Sequence, residues 1–150
     1  MRRAILILTA VVALGAGGAV AAVASPGSER AAKPTLTVRS SSFGRVLFDG
    51  RGFVLYAFTR DPRKRSACSG ACATAWPPYI LKGRLLAGKG ITKPLLGTTR
   101  RANGARQVTY AGRPLYYYVG DRRAGQILCQ NVREFGGLWL VVQPSGRLVR

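Results

Sequence analysis

Two carboxylates stand at matching places in the sequence and are its first candidates for chemistry. Asp61 follows Tyr56, and Asp121 follows Tyr116, at the same spacing. A pair of related carboxylates can hold a cation or act as acid and base in hydrolysis. At this spacing, however, residues of a regular strand point to opposite faces, so each tyrosine and its aspartate need not form one site.

Basic side chains crowd both aspartates, which favours ion pairs over metal binding. We therefore expect Asp61 and Asp121 to cap the turns that follow them, while the tyrosines supply aromatic packing. The basic neighbours are Arg60, Arg63, Lys64 and Arg65 around Asp61, and Arg122 and Arg123 beside Asp121.

Three cysteines form the second group with chemical potential. Cys68 and Cys72 have a C-x3-C spacing, and oxidation is expected if the chain is exported. The spacing predicts a structural bridge between Cys68 and Cys72, with a bridge from Cys129 to either of them as the alternative. The remaining thiol would be buried, link two chains or be reactive, in which case nearby arginines would lower its pKa. These arginines are Arg122, Arg123 and Arg133.

A redox or metal-relay role would use Cys68 and Cys72 as thiolates that bind Cu(I) or exchange disulfides. The sequence offers little support for it. No histidine is present and Met1 is the single methionine, so a soft metal site could not be completed. The spacing is also one residue longer than the C-x2-C of thiol-redox proteins.

The charge and the residue types present exclude several classes of catalytic and metal site. The chain has 24 Lys and Arg against five acids, a formal net charge of +19, and no histidine. The absence of histidine excludes Ser-His-Asp and Cys-His catalysis and histidine-ligated metals. The positive charge favours polyanions such as wall polymers, acidic lipids or extracellular nucleic acid. Because the arginines are scattered, a solvated basic surface without a dedicated ligand is the simpler interpretation.

The N-terminus predicts export. Arg2 and Arg3 precede an apolar run, 4–24, which ends in Ala22-Val23-Ala24. This pattern is typical of a signal peptide, 1–24, cleaved after Ala24. The alternative is an uncleaved membrane anchor, because the run is long enough to span a bilayer. No cysteine lies near the cleavage site, so a lipid anchor has no attachment residue.

The remaining chain contains two copies of one pattern. A polar spacer, 25–34, precedes a repeat domain, 35–150, with copies at about 45–80 and 106–143. Each copy has β-rich residues around a Gly-bearing turn, which predicts a hairpin at 46–58 and another at 107–119. Short strands are expected at 95–99 and 138–142, and a short helix at 69–75. The fold class is mainly β, with duplicated hairpins in one small domain and one or two short helical segments.

Aromatic residues recur in both copies and predict the core. We expect Phe58, Tyr116 and Tyr118 to pack mostly inside, although one face of 115–119 could bind sugars or bases. Tyr117 would share a face with Leu115 and Val119. The anchors of the repeat are Trp76, Pro77 and Pro78 in the first copy and Trp139 in the second.

The motif Tyr-x-aromatic-x-x-Asp resembles that of a bacterial secreted repeat family named for its Tyr-x4-Asp spacing. It is present as Tyr56-Ala57-Phe58-Thr59-Arg60-Asp61 and as Tyr116-Tyr117-Tyr118-Val119-Gly120-Asp121. The resemblance extends to the segments 68–78, 107–116 and 135–139. It implies an exported or lipid-anchored protein without an established activity. The chain departs from the family in lacking a lipid-attachment cysteine and in carrying Cys129.

The sequence therefore predicts a non-enzymatic, exported protein of the cell envelope. It would be a binding or structural module whose basic surface associates with polyanionic envelope components. The alternative is a thiol-redox or electron-transfer accessory that uses the C-x3-C cysteines, and hydrolysis by Asp61 and Asp121 ranks last. No cofactor, metal or specific nucleic acid is expected, and membrane contact would come only through an uncleaved segment 4–24. The oligomeric state is left open.

Overall fold

The first sheet is a hairpin built from alternating and buried apolar residues. The computed structural model describes residues 32–150, so the predicted signal segment, 1–24, and most of the predicted spacer, 25–34, lie outside it. Strand β1 (Leu36–Ser41) pairs antiparallel with β2 (Gly44–Asp49), and Leu36 lies opposite Asp49. Gly44 closes the turn at a φ of 82°, a conformation that glycine adopts without strain.

Two further sheets of three short antiparallel strands complete the β structure. One contains β3 (Tyr56–Phe58), β8 (Gly137–Val141) and β7 (Val132–Glu134), in that order. The other contains β4 (Leu96–Arg100), β5 (Arg106–Tyr110) and β6 (Arg113–Pro114), in that order. A turn of 3-10 helix, Lys93–Leu95, leads into β4.

The single α-helix of the described residues is α1 (Ala71–Ala75), one short turn of small side chains. It ends at Trp76, whose backbone N–H donates to the carbonyl of Cys72. The two prolines that follow Trp76 cannot donate backbone hydrogen bonds, so the chain leaves the helix in an extended conformation. None of the helical segments in residues 32–150 has the length and apolar character needed to span a bilayer.

The two repeats are interleaved rather than side by side. At the centre, the backbone N–H of Tyr56 donates to the carbonyl of Tyr116, and the N–H of Tyr116 donates to the carbonyl of Tyr56, both at 2.9 Å. β3 of the first repeat pairs with β8 of the second. Conversely, the N–H of Tyr117 in the second repeat donates to the carbonyl of Pro77 in the first, at 2.9 Å. Each tyrosine segment is thus bonded to the tryptophan segment of the other repeat.

Both hydrophobic clusters contain residues of both repeats. The first is aromatic and centres on Trp76, Trp139, Tyr56 and Tyr116, all of which are fully buried. The second is mainly aliphatic, and its members are Leu36, Leu47, Leu55, Ala57, Val108, Tyr110, Leu115 and Val142. Because neither repeat buries its apolar face alone, residues 32–150 form one compact unit.

The structure confirms a mainly β fold with small antiparallel sheets, one short helix and two repeats. The strand pairing differs from the expectation in two places. β2 forms its ladder with β1, and the predicted partner segment, 53–58, meets β2 only at the bridge of Phe48 with Val54. Residues 115–119 form no continuous strand: Tyr116 pairs only through isolated bridges, one with Tyr56 and one with Pro78. The short strand β7 was not predicted.

Separated repeats should not fold. Polypeptides covering 32–92 and 93–150 would each lack the strand that pairs with their tyrosine segment, so we expect neither to show a cooperative thermal transition by circular dichroism. Mixing the two polypeptides should restore the transition that the intact chain shows. A cooperative transition in either polypeptide alone would contradict the shared core.

Candidate functional site

The two motif tyrosines and the two motif aspartates form hydrogen-bonded pairs across the repeats. The hydroxyl of Tyr56 donates to Asp121 Oδ2 at 2.7 Å, and the hydroxyl of Tyr116 donates to Asp61 Oδ2 at 2.7 Å. Each pair therefore joins a tyrosine of one repeat to the aspartate of the other. Sequence reasoning compared residues within one repeat and missed this exchange, for which the duplication itself was the available signal.

The second oxygen of each aspartate caps a turn. Asp61 Oδ1 accepts from the backbone N–H of Ala67 at 2.7 Å, and Asp121 Oδ1 accepts from the N–H of Leu128 at 3.0 Å. Asp121 is buried and Asp61 is half-buried, and this burial raises the pKa values of both carboxyls despite the hydrogen bonds that oppose the shift. Burial also raises the pKa values of Tyr56 and Tyr116, which therefore remain protonated donors.

The expected ion pairs of Asp61 and Asp121 with their basic neighbours do not form. The single salt bridge of residues 32–150 joins Arg51 to Asp49. The physical reason is that both carboxylates face inward, where the tyrosine hydroxyls and backbone N–H groups occupy their oxygens. The adjacent arginines remain exposed. In the same part of the chain, no group of three or more potential ligands is placed to hold a metal ion.

The aromatic anchors stack in the core. Trp139 lies between Phe58 and Trp76, with ring centroids 4.3 Å and 4.0 Å apart and nearly parallel planes. Tyr118 packs on Trp76 at 4.7 Å. Trp76 Nε1 donates to Glu134 Oε2 at 2.7 Å. Both tryptophans are fully buried, so neither offers a platform to a ligand.

Pro77 and Pro78 extend the chain past Trp76 and place it against the second repeat. Pro78 forms a β-bridge with Tyr116, and the carbonyl of Pro77 accepts from Tyr117. Along 115–119 the expected sharing of faces holds for four residues: Leu115 and Tyr117 pack in the aliphatic cluster, and Tyr116 and Tyr118 in the aromatic one. Val119 is the exception, since it is 53% exposed.

Cys68 and Cys72 form the disulfide bridge, as the spacing predicts. Cys129 is a free, buried thiol. The expectation that nearby arginines would lower its pKa is wrong, because burial raises the pKa of Cys129 more than the hydrogen bond from Tyr118 lowers it. All three sulfurs belong to the aromatic cluster, and the two bridged residues are 1% and 6% exposed.

A cavity of about 470 Å³ lies outside the motif residues, between the start of β1, the turn after β2 and the segment 77–84. Its walls contain the rings of Tyr79 and Tyr117, whose centroids are 5.1 Å apart. Burial raises the pKa of Tyr79 to about 12. Four basic residues also line it, namely Lys33, Arg51, Lys82 and Arg84. Sequence reasoning did not identify this cavity.

The lining of the cavity includes Asp49, a carboxylate that the sequence analysis did not select as a candidate. Its Oδ1 accepts from the backbone N–H groups of Arg51 and Phe53 at 2.8 Å and 2.9 Å. Its Oδ2 accepts from Arg51 Nε at 2.8 Å and from the Tyr117 hydroxyl at 3.0 Å. Burial alone would raise the pKa of Asp49, but these hydrogen bonds outweigh it and hold the pKa below its ordinary value. The turn Asp49-Gly50-Arg51 is the signal that would have found it.

The interleaved repeats, the paired tyrosines and aspartates, and the buried bridge define a duplicated, mainly β repeat protein stabilised at its centre by the motif residues. The chain belongs to the lipoprotein-named family described as a secreted repeat of unknown function, whose sequence profile matches residues 37–79 and 97–143. No curated protein and no solved structure shows a significant match to the chain.

The free energy of unfolding should depend on pH in opposite ways at Asp49 and Asp61. Folding lowers the pKa of Asp49 below its ordinary value of 3.8. Asp49 therefore stabilises the folded state at pH values above 3.8, and this stabilisation is lost as pH falls through the lowered pKa. Folding raises the pKa of Asp61 above 3.8. Asp61 therefore stabilises the folded state at pH values below 3.8, and this stabilisation is lost as pH rises through the raised pKa.

Urea titrations of Asp49→Asn and Asp61→Asn measure this difference. We expect Asp49→Asn to destabilise more at about pH 6 than at about pH 3, and Asp61→Asn to do the reverse, by on the order of 1 kcal/mol. Changes of the same sign in both variants would contradict the assignment.

The thiols should be inert in the folded protein. We expect the Cys68–Cys72 bridge to resist about 1 mM dithiothreitol, and Cys129 to react with iodoacetamide only after unfolding, because all three sulfurs are buried. Replacing both bridged cysteines by serine should lower the free energy of unfolding by about 2 kcal/mol. Cys129→Ala is the control, since it leaves the bridge in place. Rapid reduction of the native protein would instead favour the thiol-redox alternative.

Proposed function

We propose that this secreted repeat protein is a non-enzymatic binding module of the cell envelope whose basic surface recognises polyanionic components. One observation carries the proposal. Of the charged residues in 32–150, every Lys and Arg except Arg101 and Arg113 is exposed, whereas no Asp or Glu is. The exposed charge of this part of the chain is therefore cationic, and Arg51 is the one basic residue that forms a salt bridge, with Asp49.

Aromatic donors hold the acids of residues 32–150 in buried or half-buried positions. Each of the four acidic side chains in this part of the chain accepts a hydrogen bond from a tyrosine hydroxyl or a tryptophan N–H. The pairs are Tyr117 with Asp49, Tyr116 with Asp61, Tyr56 with Asp121, and Trp76 with Glu134. These bonds stabilise the fold, and this structural use of the carboxylates favours a binding module over hydrolysis.

A surface of this kind attracts an anionic polymer over a distance and binds it by releasing the counter-ions of the polymer. Phosphate-rich or carboxylate-rich wall polymers meet this requirement in the envelope. The scattered arrangement of the arginines favours charge recognition over the reading of a nucleic acid sequence. The proposal requires no cofactor.

The thiol-redox alternative has no comparable support. A redox pair exchanges disulfides through an accessible thiolate. Here the bridge is buried in the aromatic cluster, and the pKa of the third thiol is raised by burial. The labelling experiment above separates the two proposals.

The binding proposal is tested by co-sedimentation of the exported protein with purified wall of its host bacterium. We expect retention at about 50 mM salt and release at about 500 mM, because salt weakens contacts between charges. Wall from which the anionic polymers have been extracted is the control and should retain much less protein. Absence of retention at low salt, or retention that neither salt nor extraction reduces, would contradict the proposal.

A further inference from the structure

We propose that the cavity lined by Lys33, Arg51, Lys82 and Arg84 is a specific site for an anionic sugar unit. Such a unit is a sugar ring that bears a phosphate or a carboxylate. The inference rests on the proposed function and deepens it, because it places one end group or one unit of the polymer in a defined pocket. Three observations support it: an arginine held in place by a buried carboxylate, an excess of positive charge, and a wall of ring surface.

Asp49 holds Arg51 for binding. The carboxylate of Asp49 is 2% exposed, and its four hydrogen bonds occupy both oxygens. The Arg51 side chain is 60% exposed, and of its nitrogens Nε is the one that donates a hydrogen bond to Asp49. Within residues 32–150, no acid other than Asp49 pairs with the Arg51 guanidinium. The guanidinium also lies over the rings of Phe53 and Tyr117, at 5.1 Å and 5.6 Å.

An arginine fixed in this way presents a planar pair of donors at little further cost in side-chain entropy. Such a fork matches the two oxygens of a carboxylate or phosphate. Asp49 is therefore a positioning residue for Arg51, and Arg51 is the residue that would contact the anion.

The other three basic residues increase the positive charge of the cavity. Lys33, Lys82 and Arg84 are exposed, and their side-chain nitrogens form no hydrogen bond or ion pair with the rest of the described chain. Asp49 is the one acid in the lining, and Arg51 compensates its charge. The cavity therefore retains an excess of positive charge, which an anionic ligand would neutralise.

The walls offer ring surface rather than polar groups. The hydroxyl of Tyr79 donates to the carbonyl of Thr35 at 2.8 Å, and that of Tyr117 donates to Asp49. Because both O–H groups already donate, the tyrosines offer a ligand their rings and no free donor, beside Pro77 and Pro78. Aromatic and proline surfaces pack against the C–H face of a sugar ring. The volume of about 470 Å³ lies within the roughly 300–1,000 Å³ of small-molecule sites.

A second cavity is also basic but differs in the rest of its lining. It measures about 450 Å³ and contains Arg63 and Lys64, but no aromatic ring and no carboxylate lies in its walls. It thus lacks both the positioned arginine and the ring surface. The comparison assigns the proposed ligand to the first cavity.

Isothermal titration of the exported protein at about 150 mM salt tests the site with four probes: glucose 6-phosphate, glucuronate, glucose and inorganic phosphate. We expect saturable binding of at least one anionic sugar, and binding of glucose and of inorganic phosphate that is at least about tenfold weaker. The first two probes show whether the site prefers phosphate or carboxylate. Failure of both anionic sugars to bind, or equal affinity for inorganic phosphate, would overturn the proposal.

Three variants locate the binding. Arg51→Lys keeps the charge but removes the fork, and Lys82→Gln with Arg84→Gln removes two charges; each should weaken binding by about tenfold or more. Arg122→Gln with Arg123→Gln is the matched control, since it removes two exposed charges outside the cavity and should change the affinity less than about twofold. Thermal unfolding confirms that each variant is folded. Equal losses of affinity in the control and cavity variants would overturn the proposal that the ligand binds in this cavity.

The same variants in the wall assay separate this proposal from the broader one. If the wall retains the protein but the cavity and control variants lose retention equally, the basic surface binds and the specific pocket is wrong. If the unaltered protein is not retained at low salt, the proposed function itself is wrong.

Discussion

The hydrogen bonds from aromatic side chains to carboxylates are the interaction on which the rest of the structure depends. A buried carboxylate is costly unless donors surround it, and a buried tyrosine hydroxyl also needs a partner. Pairing Tyr56 with Asp121 and Tyr116 with Asp61 meets both requirements at once. Because each pair spans the two repeats, the requirement can be met only when the repeats are interleaved. The family motif is thus a structural constraint on the chain.

This constraint also shapes the surface. Three of the four acids in residues 32–150 form no salt bridge with an arginine or lysine, so the exposed charge is basic. Asp49 is the exception: it accepts from the Tyr117 hydroxyl and also pairs with Arg51, which lines a cavity. A carboxylate that stabilises a turn can therefore also fix the position of an exposed arginine.

Local patterns predicted the elements better than their pairing. The Cys68–Cys72 spacing, the short helix before Trp76 and the strand around Trp139 follow from neighbouring residues, and the structure contains all three. The exchange of strands could not be read in this way, because hydrogen bonds between Tyr56 and Tyr116 depend on residues far apart in sequence. The same applies to the cavity, since Arg51 and Tyr79 meet only through the fold. At Asp61 the expected turn cap is present, but the expected ion pairs with its basic neighbours are not, because its carboxylate accepts from Ala67 and Tyr116 instead.

The interleaving has a consequence for how the protein folds. The strand that completes the first half, Gly137–Val141, lies 79 or more residues further along the chain than β3, with which it pairs. The core therefore cannot close until both repeats are present, and contacts between segments so distant in sequence form slowly. Until they form, the first repeat exposes unpaired strand and apolar surface. A chain built in this order spends longer with exposed strand edges than a chain of consecutive hairpins, in which each strand pairs with its neighbour in sequence.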